Sequence, residues 1–141
     1  QYTQLIARRV RERGVYCEIV PFYYPIEKIL ERNPKGLILS GGPNSVYEDD
    51  APQVSAEFYD SVDVPILGIC YGMQLLAKDL HGQVEPSAKR GYGHAKLKVL
   101  SNKTKLFEEM PFELDVWMSH GDHVVSLPEG FHKTATTGDI I

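Results

Sequence analysis

Gly68-Ile69-Cys70-Tyr71-Gly72 places a thiol at the centre of a pentapeptide whose two glycines stand two positions before and two positions after it. The pentapeptide joins the apolar run Val64-Pro65-Ile66-Leu67-Gly68-Ile69 to a segment in which Met73, Leu75, Leu76 and Leu80 recur at helical spacing. A nucleophile on such a strand-to-helix turn has a strained backbone, and side chains at the flanking positions would collide unless they were glycine. The start of the following helix offers backbone amides and the positive end of its dipole to the sulfur, which favours the thiolate and supplies donors to an oxyanion. Cys70 is therefore the candidate nucleophile of a thiol-dependent acyl transfer. The competing reading is a small apolar side chain filling a strand end. Cys17 has no such surroundings and reads as filler.

A tetrahedral oxyanion needs two convergent donors. The Tyr71 N–H is one; the Gly42 N–H, in Ser40-Gly41-Gly42-Pro43-Asn44 after an apolar strand, is the choice for the second. In isolation Gly-Gly-Pro is an ordinary β-turn. A further polar cluster, Ser119-His120-Gly121-Asp122-His123, follows the apolar segment Leu114–Met118. Taken alone it is a metal pair or a capped turn. Two histidines spaced His-x-x-His with one aspartate sit too close together in a loop to converge as the three protein ligands of an open zinc site, so no metal site is expected, with His94 and His132 also considered. Arg90-Gly91-Tyr92-Gly93-His94 reads as a hairpin turn or the wall of a pocket.

The elements that must position these groups follow from periodicity. Leu5, Ile6 and Val10 share a helical stripe that Gly14 ends, and a strand is expected over 16–20. Pro25 opens a second helix with Ile26, Ile29 and Leu30 on one face, stopped by Asn33-Pro34. Gly36–Leu39 and Val64–Ile69 read as buried strands, the latter covered on both faces, with a helix around 54–61 between them. The helix after Cys70 is closed by His81-Gly82. Beyond it come shorter strands over 96–100, 114–118 and 133–137, with a turn at Leu127-Pro128-Glu129-Gly130. Alternating strands and helices followed by strands predict an α/β fold, a mostly parallel central sheet flanked by helices with a strand-rich antiparallel extension.

Composition narrows the classes. The 141 residues fit one domain, and 43% hydrophobic with 24% charged residues suit a folded globular chain rather than a disordered one. Fifteen Lys and Arg against nineteen Asp and Glu give a net charge of -4, with no basic stripe to track phosphates, so nucleic acid is not the expected partner. The apolar run from Val64 to Cys70 is far short of the roughly 20 residues of a membrane span. Two cysteines imply no disulfide framework, and a cytoplasmic location is expected.

Leu39-Ser40-Gly41-Gly42-Pro43, Gly68-Ile69-Cys70-Tyr71-Gly72-Met73-Gln74 and Arg90-Gly91-Tyr92-Gly93 together resemble the class I, triad-type glutamine amidotransferases over essentially the whole chain. Ser119-His120-Gly121-Asp122 looks most like the branch that supplies ammonia for amination of XMP. The resemblance implies hydrolysis of the glutamine side-chain amide through a Cys70 thioester, with ammonia passed to an ATP-pyrophosphatase or synthetase module, on the same chain or a separate subunit, that binds XMP, ATP and Mg2+. No cofactor is implied within 1–141. Carried over by position, Gly42 and Tyr71 donate amides to the oxyanion, Gln74 helps hold the substrate, and Ser119, His120, Gly121 and Asp122 bind glutamine or signal between modules. Family members carry a strand ending in Asp-Phe-Gly-Ser or similar before the position of Gln1 and a His-Pro-Glu type motif beyond that of Ile141. The resemblance therefore implies a domain over 1–141 truncated at both ends, and negligible glutaminase activity for a polypeptide ending at Ile141. The alternatives are an amidotransferase of anthranilate, carbamoyl phosphate or CTP synthesis, a non-catalytic glutamine-sensing module of the same fold, or a thiol peptidase with a similar turn.

Overall fold

The computed structural model describes residues 2–138, with the side chains of 87–92, 119 and 120 excepted. It divides into two compact units, 1–75 and 76–141.

In the first unit, helix α1 (Thr3–Glu12) buries Ala7, and the same face carries Thr3 and Val10, four and three residues away. Leu5, expected on the buried stripe, is exposed. The backbone turns out at Arg13 and at Gly14, whose φ of 73° suits glycine. The strand expected over 16–20 does not form: no ladder partner pairs with it among the described residues. Instead the Cys17 carbonyl accepts from the Arg11 guanidinium at 2.8 Å, and Tyr16 is exposed to solvent. A strand is defined by its neighbour, and apolar alternation alone does not provide one.

Helix α2 (Ile26–Leu30) starts after Pro25 and ends before Asn33, which adopts a left-handed φ of 50°. Strands β1 (Leu37–Leu39) and β2 (Ile66–Gly68) pair in parallel, Leu37 with Ile66 and Leu39 with Gly68. Their apolar composition predicts full burial, but each has a single paired neighbour among the described residues, and Ile38 and Leu67 are 42% and 39% exposed. Between them the chain packs Val46, Ala51 and Phe58 inward, with a short helix α3 (Phe58–Ser61).

Helix α4 (Tyr71–Asp79) follows β2 directly. Its end is closed as expected, but by division of labour: His81 takes the left-handed φ of 69°, and Gly82 lets the chain pass close to backbone. A Cβ at Gly82 would lie 2.7 Å from the Ser126 carbonyl oxygen and 2.9 Å from that of Ala77.

The second unit is built on a long antiparallel ribbon of β3 (Gln83–Val99) and β4 (Glu113–Ser126), with β5 (Ala135–Thr136) on the outer edge of β3. Its core includes Ala77, Val84, Val99 and Val124. The strands expected at 96–100 and 114–118 are one end of this ribbon. Residues 83–95 and 119–126, not anticipated as strand, continue it. Gly-rich and polar stretches satisfy their backbone groups by pairing with each other, which residue propensity does not report. The turn at Pro128–Gly130 forms, with Gly130 at a φ of 83°.

Candidate active site

Cys70 lies between the last residue pair of the parallel ladder and the first turn of α4, with a left-handed φ of 53°. For a residue bearing a side chain this conformation costs about 1–2 kcal/mol, and the surroundings enforce it. The Ile69 N–H donates to the Leu39 carbonyl at 2.9 Å, holding the strand end. The amides of Gly72, Met73 and Gln74 donate to the carbonyls of Ile69 and Cys70 at 3.0–3.1 Å, holding the helix start.

The flanking glycines are required for the reason the spacing suggests. A Cβ at Gly68 would lie 2.6 Å from Met73 Cα, and one at Gly72 would lie 2.1 Å from the Leu39 carbonyl oxygen. Both obstacles are backbone, so neither site has room for a side chain unless the chain moves.

The Ser40-Gly41-Gly42 segment, leaving the end of β1, runs against this turn. A Cβ at Gly41 would lie 3.3 Å from Cys70 Cβ and 3.9 Å from Cys70 Sγ. The sulfur is therefore beside Gly41, and Cys70 is partly exposed rather than sealed in the interior. Neither Gly41 nor Gly42 has a positive φ; at Gly41 the close approach of Cys70 favours glycine, whereas a Cβ at Gly42 would meet only ordinary contact. Gly42 faces the Tyr71 ring, whose Cγ would stand 3.5 Å from a Cβ at that position. Tyr71 is buried, and its hydroxyl donates to the Pro52 carbonyl. Gln74, one turn along α4, is 4% exposed. Cys70, Gly42, Tyr71 and Gln74 are thus gathered within one unit.

Ser119, His120, Gly121 and Asp122 belong to the other unit. They are not in the loop that the sequence suggests but within β4, where Ser119 pairs with Tyr92, His120 with Gly91 and Asp122 with Pro86. The ladder is irregular between Pro86 and Gly91. The side chains of Ser119, His120 and Arg90–Tyr92 lie outside the described residues. Gly121 needs no special space, since a Cβ there would meet nothing within 4 Å. The Gly91–His94 stretch, read as a turn or pocket wall, is strand, and Gly93 has a φ of 114°.

Farther along the ribbon, His94 Nε2 and Lys96 Nζ stand 2.8 and 2.9 Å from Asp115 Oδ1, and Lys96 Nζ is 3.1 Å from Glu113. Hydrogen bonding from Lys96 above all, then from His94, holds the Asp115 carboxyl below the usual range. Bonds to Asp115 and then Glu113 raise the Lys96 ammonium above its own.

Sequence reasoning missed three features of the nucleophile turn: the contact of Gly41 with Cys70, the tyrosine hydroxyl on Pro52, and the bond between Thr3 and Ser40 hydroxyls at 2.8 Å. Only the first had a signal, the doubled glycine.

A thiol held on a strained strand-to-helix corner beside a glycine-containing segment is the arrangement a nucleophilic cysteine requires. The family model for class I glutamine amidotransferases matches residues 1–141, and the chain belongs to that family. It is 50% identical over 139 residues, 99% of its length, to the GMP synthase [glutamine-hydrolyzing] of Pediococcus pentosaceus, of which it covers 27%. It is 53% identical over 137 residues to that of Clostridium tetani, covering 97% of this chain and 26% of that protein. The chain thus spans about a quarter of the length of these curated relatives. Among solved structures, a Thermoplasma acidophilum protein described as a GMP synthase subunit superposes with a TM-score of 0.81 at 29% identity, covering 99% of this chain and 69% of that one. A Thermotoga maritima glutamine amidotransferase superposes with a TM-score of 0.68 at 24% identity, covering 99% of this chain and 62% of that one. The α/β architecture expected from the sequence is that of these structures. No helix among the described residues is long and apolar enough to cross a membrane.

Proposed function

We propose that this chain is the glutaminase part of a GMP synthase and supplies ammonia for amination of XMP. The observation that carries the reading is the left-handed Cys70, locked between Gly68 and Gly72 with its sulfur beside Gly41. In the reaction, Cys70 Sγ bonds to the side-chain carbonyl carbon of glutamine and a tetrahedral oxyanion forms. The N–H groups of Gly42 and Tyr71 stabilise it. The C–N bond breaks, ammonia leaves with the proton taken from the thiol, and water cleaves the thioester to glutamate. Gln74, Ser119, His120, Gly121 and Asp122 hold the substrate. The general base is a histidine of the family's His-Pro-Glu type motif elsewhere in the full-length protein. ATP, Mg2+ and XMP belong to a synthetase module on the same polypeptide or a separate one, and the protein works in the cytoplasm.

The test is covalent labelling of the full-length protein with an electrophilic glutamine analogue. One label per chain on Cys70, blocked by glutamine and absent from Cys70→Ala, is the expected result. Labelling that glutamine does not compete with, or that survives the substitution, would remove the glutaminase reading.

A further inference from the structure

The donor segment beside Cys70 hangs between two anchors. On the far side, the Tyr71 ring covers Gly42 and its hydroxyl holds the Pro52 carbonyl, fixing the chain after the glycines. On the near side, Ser40 Oγ, on the residue immediately before Gly41, lies 2.8 Å from the hydroxyl of Thr3, the first residue of α1. Both hydroxyls are partly buried, and the bond joins residues 37 positions apart. Ser40 lies just past the last ladder residue of β1, Leu39. Its side chain is therefore anchored where regular strand pairing stops and the turn toward Cys70 begins.

We propose that Thr3 is a positioning residue for glutamine hydrolysis: through Ser40 it fixes the Gly41–Gly42 peptide against Cys70. This rests on the glutaminase reading above. The physical need is strict. An oxyanion donor acts only at about 2.7–3.1 Å from the developing charge, and β1 gives the segment only one ladder neighbour among the described residues. A hydroxyl tether on the residue before the glycines adds a constraint at the point where they begin. Thr3 acts through Ser40, so the effect of its loss falls on the step at which charge develops and not on substrate affinity.

The experiment compares Thr3→Val, Thr3→Ser and Ser40→Ala with the wild type in the full-length protein, reading kcat and KM for glutamine hydrolysis and the rate of Cys70 alkylation by iodoacetamide. Alkylation needs the thiol but no oxyanion donor. Thr3→Val is expected to lower kcat roughly tenfold, as small misplacement of catalytic groups does, while KM and the alkylation rate stay within about twofold. Thr3→Ser restores kcat, and Thr3→Val with Ser40→Ala is no worse than either alone, because both remove one bond. If Thr3→Val fails to fold, Ser40→Ala carries the same expectation. Unchanged kcat in both single variants, loss of alkylation in parallel with kcat, or failure of serine to restore activity would each overturn the proposal. A wild type without glutaminase activity would overturn the underlying reading, and this one with it.

Discussion

Cys70 sits where its backbone would be more comfortable as glycine, and that is where the candidate nucleophile is held. At a φ of 53° a side chain costs about 1–2 kcal/mol, which glycine avoids at the expense of about 0.5–1 kcal/mol of unfolded-chain entropy. Cys70→Gly is therefore expected to be at least as stable as Cys70→Ala, by up to roughly 1 kcal/mol in chemical denaturation, with both inactive toward glutamine. A lower stability for the glycine variant would show that the turn is not strained. Tyr71 makes a different contribution, because its hydroxyl satisfies the Pro52 carbonyl while its ring stays packed on Gly42. Tyr71→Phe keeps the ring and loses one hydrogen bond, so a loss of about 0.5–1.5 kcal/mol is expected from denaturant midpoints. The glycine spacing around Cys70 makes this corner legible, since it marks a tight turn within five residues. The tyrosine clasp spans 19 residues and has no counterpart in the local pattern.

At the level of elements, the entry of α4 depends on backbone passing backbone. Gly72 stands so close to the Leu39 carbonyl that Gly72→Ala must displace either β1 or the helix start. The expected cost is about 1–3 kcal/mol or more, visible as a lowered melting temperature together with loss of Cys70 labelling. Gly121→Ala, in open space on β4, is the matched control and is expected to change stability by less than about 0.5 kcal/mol. The β3–β4 ribbon carries the titrating cluster. Because the Asp115 carboxyl is depressed, its contribution is present above the ordinary carboxylate range and is lost as pH falls through the lowered value. Because the Lys96 ammonium is raised, its contribution is present below the usual lysine range and is lost as pH rises through the raised value. Asp115→Asn should therefore lower the melting temperature at neutral pH and converge with the wild type as the carboxyl protonates in acid, which flattens the acid limb of the profile. Both groups are solvent-exposed, so the difference should shrink in high salt. An acid limb that is identical in the variant would show the cluster to be energetically silent. The ribbon itself was only half legible. Leu114–Met118 alternates as a strand should, whereas Ser119–His123 looks like a loop and pairs as a strand because Glu85, Pro86 and Gly91 offer it a ladder.

For the whole molecule, the chain matches about a quarter of the length of curated GMP synthases, and the proposed function has a test at that scale. If ammonia made at Cys70 feeds a synthetase module, Cys70→Ala in the full-length protein should lower glutamine-supported GMP formation by at least about a thousandfold, and added ammonium should restore it. Failure of ammonium to rescue would separate this chain from that pathway. Residue order alone specifies the candidate nucleophile, its flanking glycines, the helix that follows and the family, because each depends on spacing within a few residues or on motifs in a fixed order. Folding in three dimensions settles the rest: Gly41 abuts the sulfur, Thr3 reaches Ser40, residues 16–20 find no ladder partner among the described residues, and β3 and β4 form one long ribbon. These are choices of partner between distant segments. Local pattern fixes which face a residue presents, but the free energy that selects its neighbour is gained only when the chain closes on itself.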